Sequence, residues 1–130
     1  MTDRNTTLTT WLDAFNRQDL ETYLSYYSDD VMLYGYAPEP FDKTNVRGYY
    51  ETMFADFETD SRIEDVMWDG ERNAFRWRMR ALQRREFMGI TPSGKWVEIV
   101  GLSIMTWKDG QILERWSVMD TLAFTDLLRA

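Results

Sequence analysis

The sequence predicts an α+β domain: a cone-shaped, curved antiparallel sheet wrapped by three N-terminal helices, closed by a short C-terminal helix. Three observations predict it. Apolar residues recur at helical spacing through the first 58 or so residues. From residue 61 the period falls to two, the signature of strands. Helices and strands are therefore segregated along the chain instead of alternating, which indicates α+β and not a parallel α/β sheet. With 130 residues, the chain is of a size for one domain spanning 1–130.

Leu8, Trp11, Leu12 and Phe15 fall at i, i+3, i+4 and i+7, the buried stripe of a first helix. "NRQD" breaks it, and Asp19 is placed to cap a second helix with the stripe Leu20, Tyr23, Leu24 and Tyr27. "VMLYGY" reads as a short strand, and "APEPFDKTN" as a loop long enough to form a rim or lid. Tyr50, Met53, Phe54 and Phe57 mark a third helix over about 47–58. "SRIEDVMWD" then alternates Ile63, Asp65 and Met67 against Arg62, Glu64 and Val66. After a turn near Asp69-Gly70, "RNAFRWRMRALQ" puts Phe75, Trp77, Met79 and Ala81 on one face and Arg76, Arg78 and Arg80 on the other. "GITPSGK" is a turn, and "KWVEIVGLSIMTW", apolar on both faces, is a central strand. "KDGQ" carries the Asp-Gly hairpin signal and returns the chain through "ILERWSVMD" to a helix over 121–128. A sheet curved in this way encloses an interior pocket.

Composition removes several function classes. There is no cysteine and no histidine, so zinc-thiolate sites, thiolate nucleophiles and histidine-based triads are out of reach, and no metal site is expected. No glycine-rich phosphate cradle is present. No apolar run approaches the length of a membrane span, and "MTDRNTTLTTWLDAF" lacks a signal-peptide core, so a cytoplasmic location is the default expectation. The net charge of −7 argues against nucleic acid as partner. Its halves differ: residues 1–71 hold 16 acids and 5 bases, residues 72–130 hold 6 and 10. Either two layers of the fold, or two copies in a dimer, complement each other, or the sheet attracts an anionic ligand.

Acid–base chemistry must then rest on carboxylates, tyrosines or lysines. "ERWSVMD", read as a regular strand, sets Glu114, Trp116, Val118 and Asp120 on one apolar, core-facing side. A carboxylate desolvated there rises in pKa toward the strength of a useful base, which makes Asp120 the catalytic candidate. Asp120 before "TLAFTDLL" is equally a good helix N-cap. Glu114 lies about 20 Å from Asp120 along an ideal strand, too far for a carboxylate dyad, and more naturally pairs with an arginine such as Arg78 or Arg80 or faces solvent at the other end. Gln83 continues the inward parity of Phe75 and Met79, either to bond a ligand carbonyl or to mark the strand's exit into water. The arginine row is a solvated or salt-bridged face more naturally than an anion site. Tyr23, Tyr27, Tyr34, Tyr36, Tyr49 and Tyr50, with Trp77, Trp96 and Trp107, are candidates to line a cavity for a flat ligand, most of them being core. From this set Tyr27, Tyr34 and Trp107, with Gln83 and Trp116, are taken as substrate-binding candidates.

"FNRQDLETYLSYYSDDVMLYG", "VRGYYETMFADF" and "EFMGITPSGKWVEIVGLSIMTWKDGQILERWSVMDTLAFTDLL" resemble the SnoaL-like polyketide cyclases, of the nuclear transport factor 2-like fold. The most specific piece is F-x-G-x-x-P-[ST]-G-K followed by a hairpin, E-x-W-x-x-x-D and a short helix. The resemblance implies a cone with a pocket between sheet and helices, commonly homodimeric. It also implies a cofactor-free intramolecular aldol closure in which the aspartate matching Asp120 removes and returns the proton, and Trp116 shapes the pocket. The chain departs from the pattern at Gln83, where the cyclases usually carry histidine, and near Tyr34, where a histidine is also usual. Gln83 donates a hydrogen bond but carries no proton at neutral pH, so enolate stabilisation falls to neutral donors. The Arg/Asp/Asp triad of limonene-type epoxide hydrolases is not visible, since Leu82 follows Arg80 two positions on. Two expectations follow: a cofactor-free cyclase, isomerase or lyase acting on a flat, carbonyl-rich hydrophobic molecule, or a non-catalytic binding or dimeric interaction module of the same fold.

Overall fold

The computed structural model describes residues 3–130. The element order is α1 (Arg4–Asn16), α2 (Leu20–Ser25), β1 (Tyr27–Tyr34), α3 (Lys43–Asp56), β2 (Phe57–Asp69), β3 (Arg72–Gln83), β4 (Trp96–Lys108), β5 (Gln111–Met119) and α4 (Thr121–Arg129). The five strands form one curved, unclosed sheet in the order β1-β5-β4-β3-β2. The strand pairs β2–β3, β3–β4 and β4–β5 are antiparallel, and β1 joins the far edge parallel to β5. The α+β architecture expected from the sequence is the one observed.

Each helix starts on a side-chain cap that satisfies backbone donors without intrahelical partners. Asp3 serves α1, Asp19 bonds the Thr22 amide at the head of α2, and Asp42 with Asn45 forms a reciprocal box on α3. That box starts α3 four residues earlier than the apolar stripe alone suggests. The second helix stops at Ser25, so Tyr27, expected on its stripe, instead opens β1. Pairing decides this: Tyr27 aligns with Ile112 and the Ile112 amide bonds the Tyr26 carbonyl at 2.6 Å. The tertiary ladder outweighs local helical spacing. The loop after β1 is tied back by two 2.9 Å backbone bonds between Leu33 and Phe41.

The β3 alternation is as expected, with Phe75, Met79 and Ala81 buried and the arginines outside. Those arginines are held by the neighbouring acids: Arg78 and Arg76 reach Glu64 at 3.1 and 3.5 Å, and Arg80 reaches Asp60 at 4.0 Å. The charge asymmetry is thus partly answered within the sheet, between β2 and β3. The Asp109-Gly110 hairpin has φ of 52° and 77°, the left-handed pair that an Asp-Gly turn supplies.

Two strands depart from simple alternation, and both departures are bulges. In β2 the register slips between Ile63 and Asp65, so Ile63 and Val66 both pack on the core while Met67 faces out. In β5 it slips where Trp107 opposes Ile112 and Thr106 opposes Glu114. Ile112 points inward, the bulge inserts one residue, and Arg115 then points inward in place of Glu114. The expected phase of "ERWSVMD" is therefore inverted. Trp116 and Val118 are 50% and 62% exposed, whereas Arg115 is only 6% exposed.

Helices α1 and α3 cover the concave face of the sheet. Phe15, Tyr23, Tyr50 and Phe54 meet there edge-on or tilted, with ring centres 4.8–6.2 Å apart. The convex face of β4, β5 and the start of α4 leaves Leu102, Ile104, Trp116, Val118 and Leu122 in solvent. Among the described residues, no helix is long and apolar enough to cross a membrane.

Candidate active site

Between the helices and the concave sheet lies a cavity of about 680 Å³, within the ordinary range for small-molecule sites. Its walls are mostly apolar and aromatic: Trp11 and Phe15 from α1, Tyr49, Tyr50 and Met53 from α3, Phe75, Trp77 and Met79 from β3, and Phe124 from α4. The Trp77 wall depends on Gly101 across the ladder. A Cβ at Gly101 would sit 1.9 Å from a Trp77 ring carbon, so only glycine lets the indole lie flat there. The indole N–H donates to Ser103 Oγ at 3.1 Å.

Arg115 forms the polar end. Its Nε donates to Ser117 Oγ at 3.0 Å, and Nη1 reaches the hydroxyls of Tyr27, Tyr50 and Tyr23 at 2.9, 3.2 and 3.3 Å. Its Nη2 donates to Ser103 Oγ at 3.3 Å. The guanidinium carbon lies 5.1 Å from the centre of the Trp11 ring and 5.8 Å from that of Tyr36, close enough for cation–π attraction. Among the described residues, no carboxylate pairs with Arg115. Desolvation opposes its charge, but interaction with Tyr36, Tyr50, Tyr27 and Tyr23 outweighs it and holds its pKa well above the usual guanidine value. Burial drives the Tyr23 and Tyr50 phenols well above their ordinary pKa, raises Tyr36, and pushes Tyr49 up to about 12. The cavity's phenols are therefore neutral donors at physiological pH.

A carboxylate also lines the cavity. Asp56, the last residue of α3, is buried, and its Oδ1 accepts from Arg85 Nε and Nη2 at 2.9 and 2.8 Å. Phe124 packs on Phe57 with ring centres 5.6 Å apart, so the start of α4 borders the same end of the cavity.

The structure distributes the sequence-derived candidates unevenly. Asp120 is exposed and caps α4, its Oδ1 accepting from the Ala123 amide at 2.9 Å. Its neighbours Met119 and Thr121 line the cavity while Asp120 does not, so the desolvated setting expected for it is not there. Trp116 lies on the convex face, stacked on Tyr34 at 4.3 Å and 14°, with its N–H on Glu114 Oε1 at 3.0 Å. Neither Trp116 nor Tyr34 touches the cavity, and Glu114 takes the indole in place of the expected arginine. Gln83 does face inward, but its Nε2 bonds the Ile90 and Arg85 carbonyls at 2.6 and 2.9 Å, bracing the 85–90 turn outside the cavity lining. Trp107 is buried at the opposite end of the sheet beside a second depression with Arg4 and Trp68. Tyr27 is buried behind the wall and reaches the site through Arg115 and Tyr23, whose hydroxyl lies 2.7 Å away. Among the described residues, no cluster of three or more His, Cys, Asp or Glu could hold a metal ion.

Arg115 and Asp56 were not singled out by sequence. Arginine is ordinarily solvated, and a bulge carries no reliable residue signature. Asp56 did leave a trace: an acid in the last turn of a helix opposes the macrodipole, so it calls for a separate reason to be there.

A family model described as SnoaL-like polyketide cyclase matches residues 5–126. Among solved structures, the chain is similar to AclR from Streptomyces galilaeus, a candidate hydroxylase, with 23% identity, TM-score 0.87 and coverage of 96% of this chain and 94% of that one. It is also similar to IdmH from Streptomyces antibioticus, a candidate polyketide cyclase, with 26% identity, TM-score 0.85 and coverage of 99% and 100%. A SnoaL-like polyketide cyclase from Agrobacterium tumefaciens matches at 23% identity and TM-score 0.79, over 98% of this chain and 99% of that one. A search of curated proteins returned no match.

Proposed function

The chain belongs to the SnoaL-like polyketide cyclase family, and from that premise we propose that it is a cofactor-free cyclase, isomerase or lyase acting on a flat, carbonyl-bearing hydrophobic molecule. The observation that carries this reading is the cavity itself: mostly apolar and aromatic, of about 680 Å³, with neutral phenols and a guanidinium at its polar end. A base removes a proton activated by neighbouring carbonyls, the enolate carbon attacks a second carbonyl, and the new alkoxide takes the proton back. Neutral O–H donors aimed at an oxygen that gains charge favour the transition state over the ground state.

Two carboxylates are candidates for the base: Asp56 in the cavity lining, and Asp120, which caps α4 between the lining residues Met119 and Thr121. Family resemblance favours Asp120, which would reach the ligand by releasing the Ala123 amide. Position favours Asp56, which already lines the cavity, and we assign the proton transfer to it. The test follows hydrogen–deuterium exchange at the acidic C–H of aryl β-keto esters in D2O. Asp56→Asn should lower the exchange about a hundredfold or more, the range that general-base catalysis supplies, while Asp120→Asn leaves it within about twofold. The opposite pattern would return the role to Asp120. No exchange above buffer with the wild-type chain would favour the second reading, a non-catalytic binding module. That reading is supported by both carboxylates already being engaged, Asp120 by its cap and Asp56 by Arg85.

A homodimer through the sheet belongs to the same proposal. It is supported by the contiguous exposed side chains Leu102, Ile104, Trp116 and Val118 on the convex face.

A further inference from the structure

We propose that the cavity's ligand carries a carboxylate, and that this carboxylate seats on Arg115 within the ring of tyrosine and serine hydroxyls. The inference rests on the cavity being the ligand site, as read above, and adds the charge of what it binds.

A hydrogen-bond balance at the polar end points to a missing acceptor. Tyr23, Tyr27, Tyr36, Tyr50, Ser103 and Ser117 carry one hydroxyl proton each. They make only four bonds to one another: Tyr23–Tyr27 at 2.7 Å, Tyr36–Tyr50 at 3.0 Å, Tyr36–Ser117 at 3.4 Å and Ser103–Ser117 at 2.6 Å. Protons are left over. Arg115 and Trp77 add further N–H donors to the same oxygens, and neither brings an acceptor. Beside them the Trp11 indole N–H is buried with no partner at all, in a residue that is 3% exposed and lines the cavity. The cluster is donor-rich and acceptor-poor.

The charge balance agrees. Arg115 is positive and buried, no carboxylate pairs with it among the described residues, and burial holds its neighbours Tyr23, Tyr36 and Tyr50 neutral. A buried guanidinium with hydroxyl partners but no countercharge attracts an anion, and a ligand carboxylate supplies that charge while accepting the surplus N–H and O–H groups. A single guanidinium matches one singly charged carboxylate. A phosphate dianion would leave one charge unmatched. The aromatic walls suit a planar ring system attached to the acid.

The test is calorimetric titration of the full chain with anthraquinone-2-carboxylate and with its uncharged match, anthraquinone-2-carboxamide. The acid should bind at least about tenfold tighter, as a charge-assisted contact implies. Arg115→Met should bring the two affinities within about twofold of each other. Trp11→Phe, which keeps the ring but removes the orphaned N–H, should weaken the acid severalfold and leave the amide unchanged. If Arg115→Met does not fold, the wild-type ratio and Trp11→Phe decide the matter. Equal binding of acid and amide overturns the anion inference while leaving the cavity as the ligand site. Binding of neither at millimolar concentration overturns both.

Discussion

Replacing Gly101 with alanine tests how the sheet shapes the cavity. The new methyl would meet three Trp77 ring atoms at 1.9, 2.3 and 2.4 Å, all far inside van der Waals contact, and its backbone anchor in the middle of β4 cannot retreat. The indole must swing away and lose its 3.1 Å bond to Ser103. Overpacking a closed site costs about 1–3 kcal/mol, and the lost hydrogen bond adds about 1 kcal/mol. Alanine returns roughly 0.5–1 kcal/mol relative to glycine in a strand. The net expectation is a loss of about 2 kcal/mol, or roughly 7 °C in Tm for a chain of this length. Urea unfolding followed by far-UV circular dichroism measures it. Adding Trp77→Leu should make the Gly101→Ala step nearly neutral, because the clashing ring is gone. A Gly101→Ala loss under 0.5 kcal/mol, or strict additivity in the double variant, would refute the reasoning.

Other outcomes follow from the same geometry. Asp120→Ala should destabilise the chain by about 1 kcal/mol while Asp120→Ser stays within a few tenths, since serine also caps; equal losses in denaturant melts would contradict the cap. The buried phenols bind their protons more tightly in the folded state than in the unfolded one, so the stability they contribute is complete below about pH 10. It is lost as pH rises through the folded-state values, about 12 for Tyr49, and absorbance titration should show Tyr23, Tyr36, Tyr49 and Tyr50 ionising late, together with unfolding. A single step near pH 10 for all seven tyrosines would exclude this. Val118→Lys should convert a dimer to a monomer in sedimentation, leaving thermal stability of the subunit little changed; a wild-type monomer at high concentration would dismiss the sheet interface.

Most of the fold was legible because its elements announce themselves locally. The Arg/apolar alternation of 72–83 gives β3 its limits and its faces, and Asp109-Gly110 gives the hairpin. Asp19 signalled its cap correctly. What stayed hidden depends on long-range pairing. Tyr27 left its helical stripe because Ile112 offered a parallel partner. The β5 bulge turned Trp116 and Val118 outward and brought Arg115, Ser117 and Met119 to the cavity. One inserted residue therefore exchanged the expected site face for its reverse, and the apolar character of Trp116 and Val118 concealed the exchange.

A crystal structure of the chain with anthraquinone-2-carboxylate tests the central claim, that the working face of "ERWSVMD" is the Arg115–Ser117–Met119 side. The account predicts the ring system beside Trp77 and Tyr49 inside the cavity, its carboxylate about 2.7–2.9 Å from Arg115 nitrogens. Ligand stacked on Trp116 and Tyr34 at the convex face, with the cavity closed to it, would contradict the account.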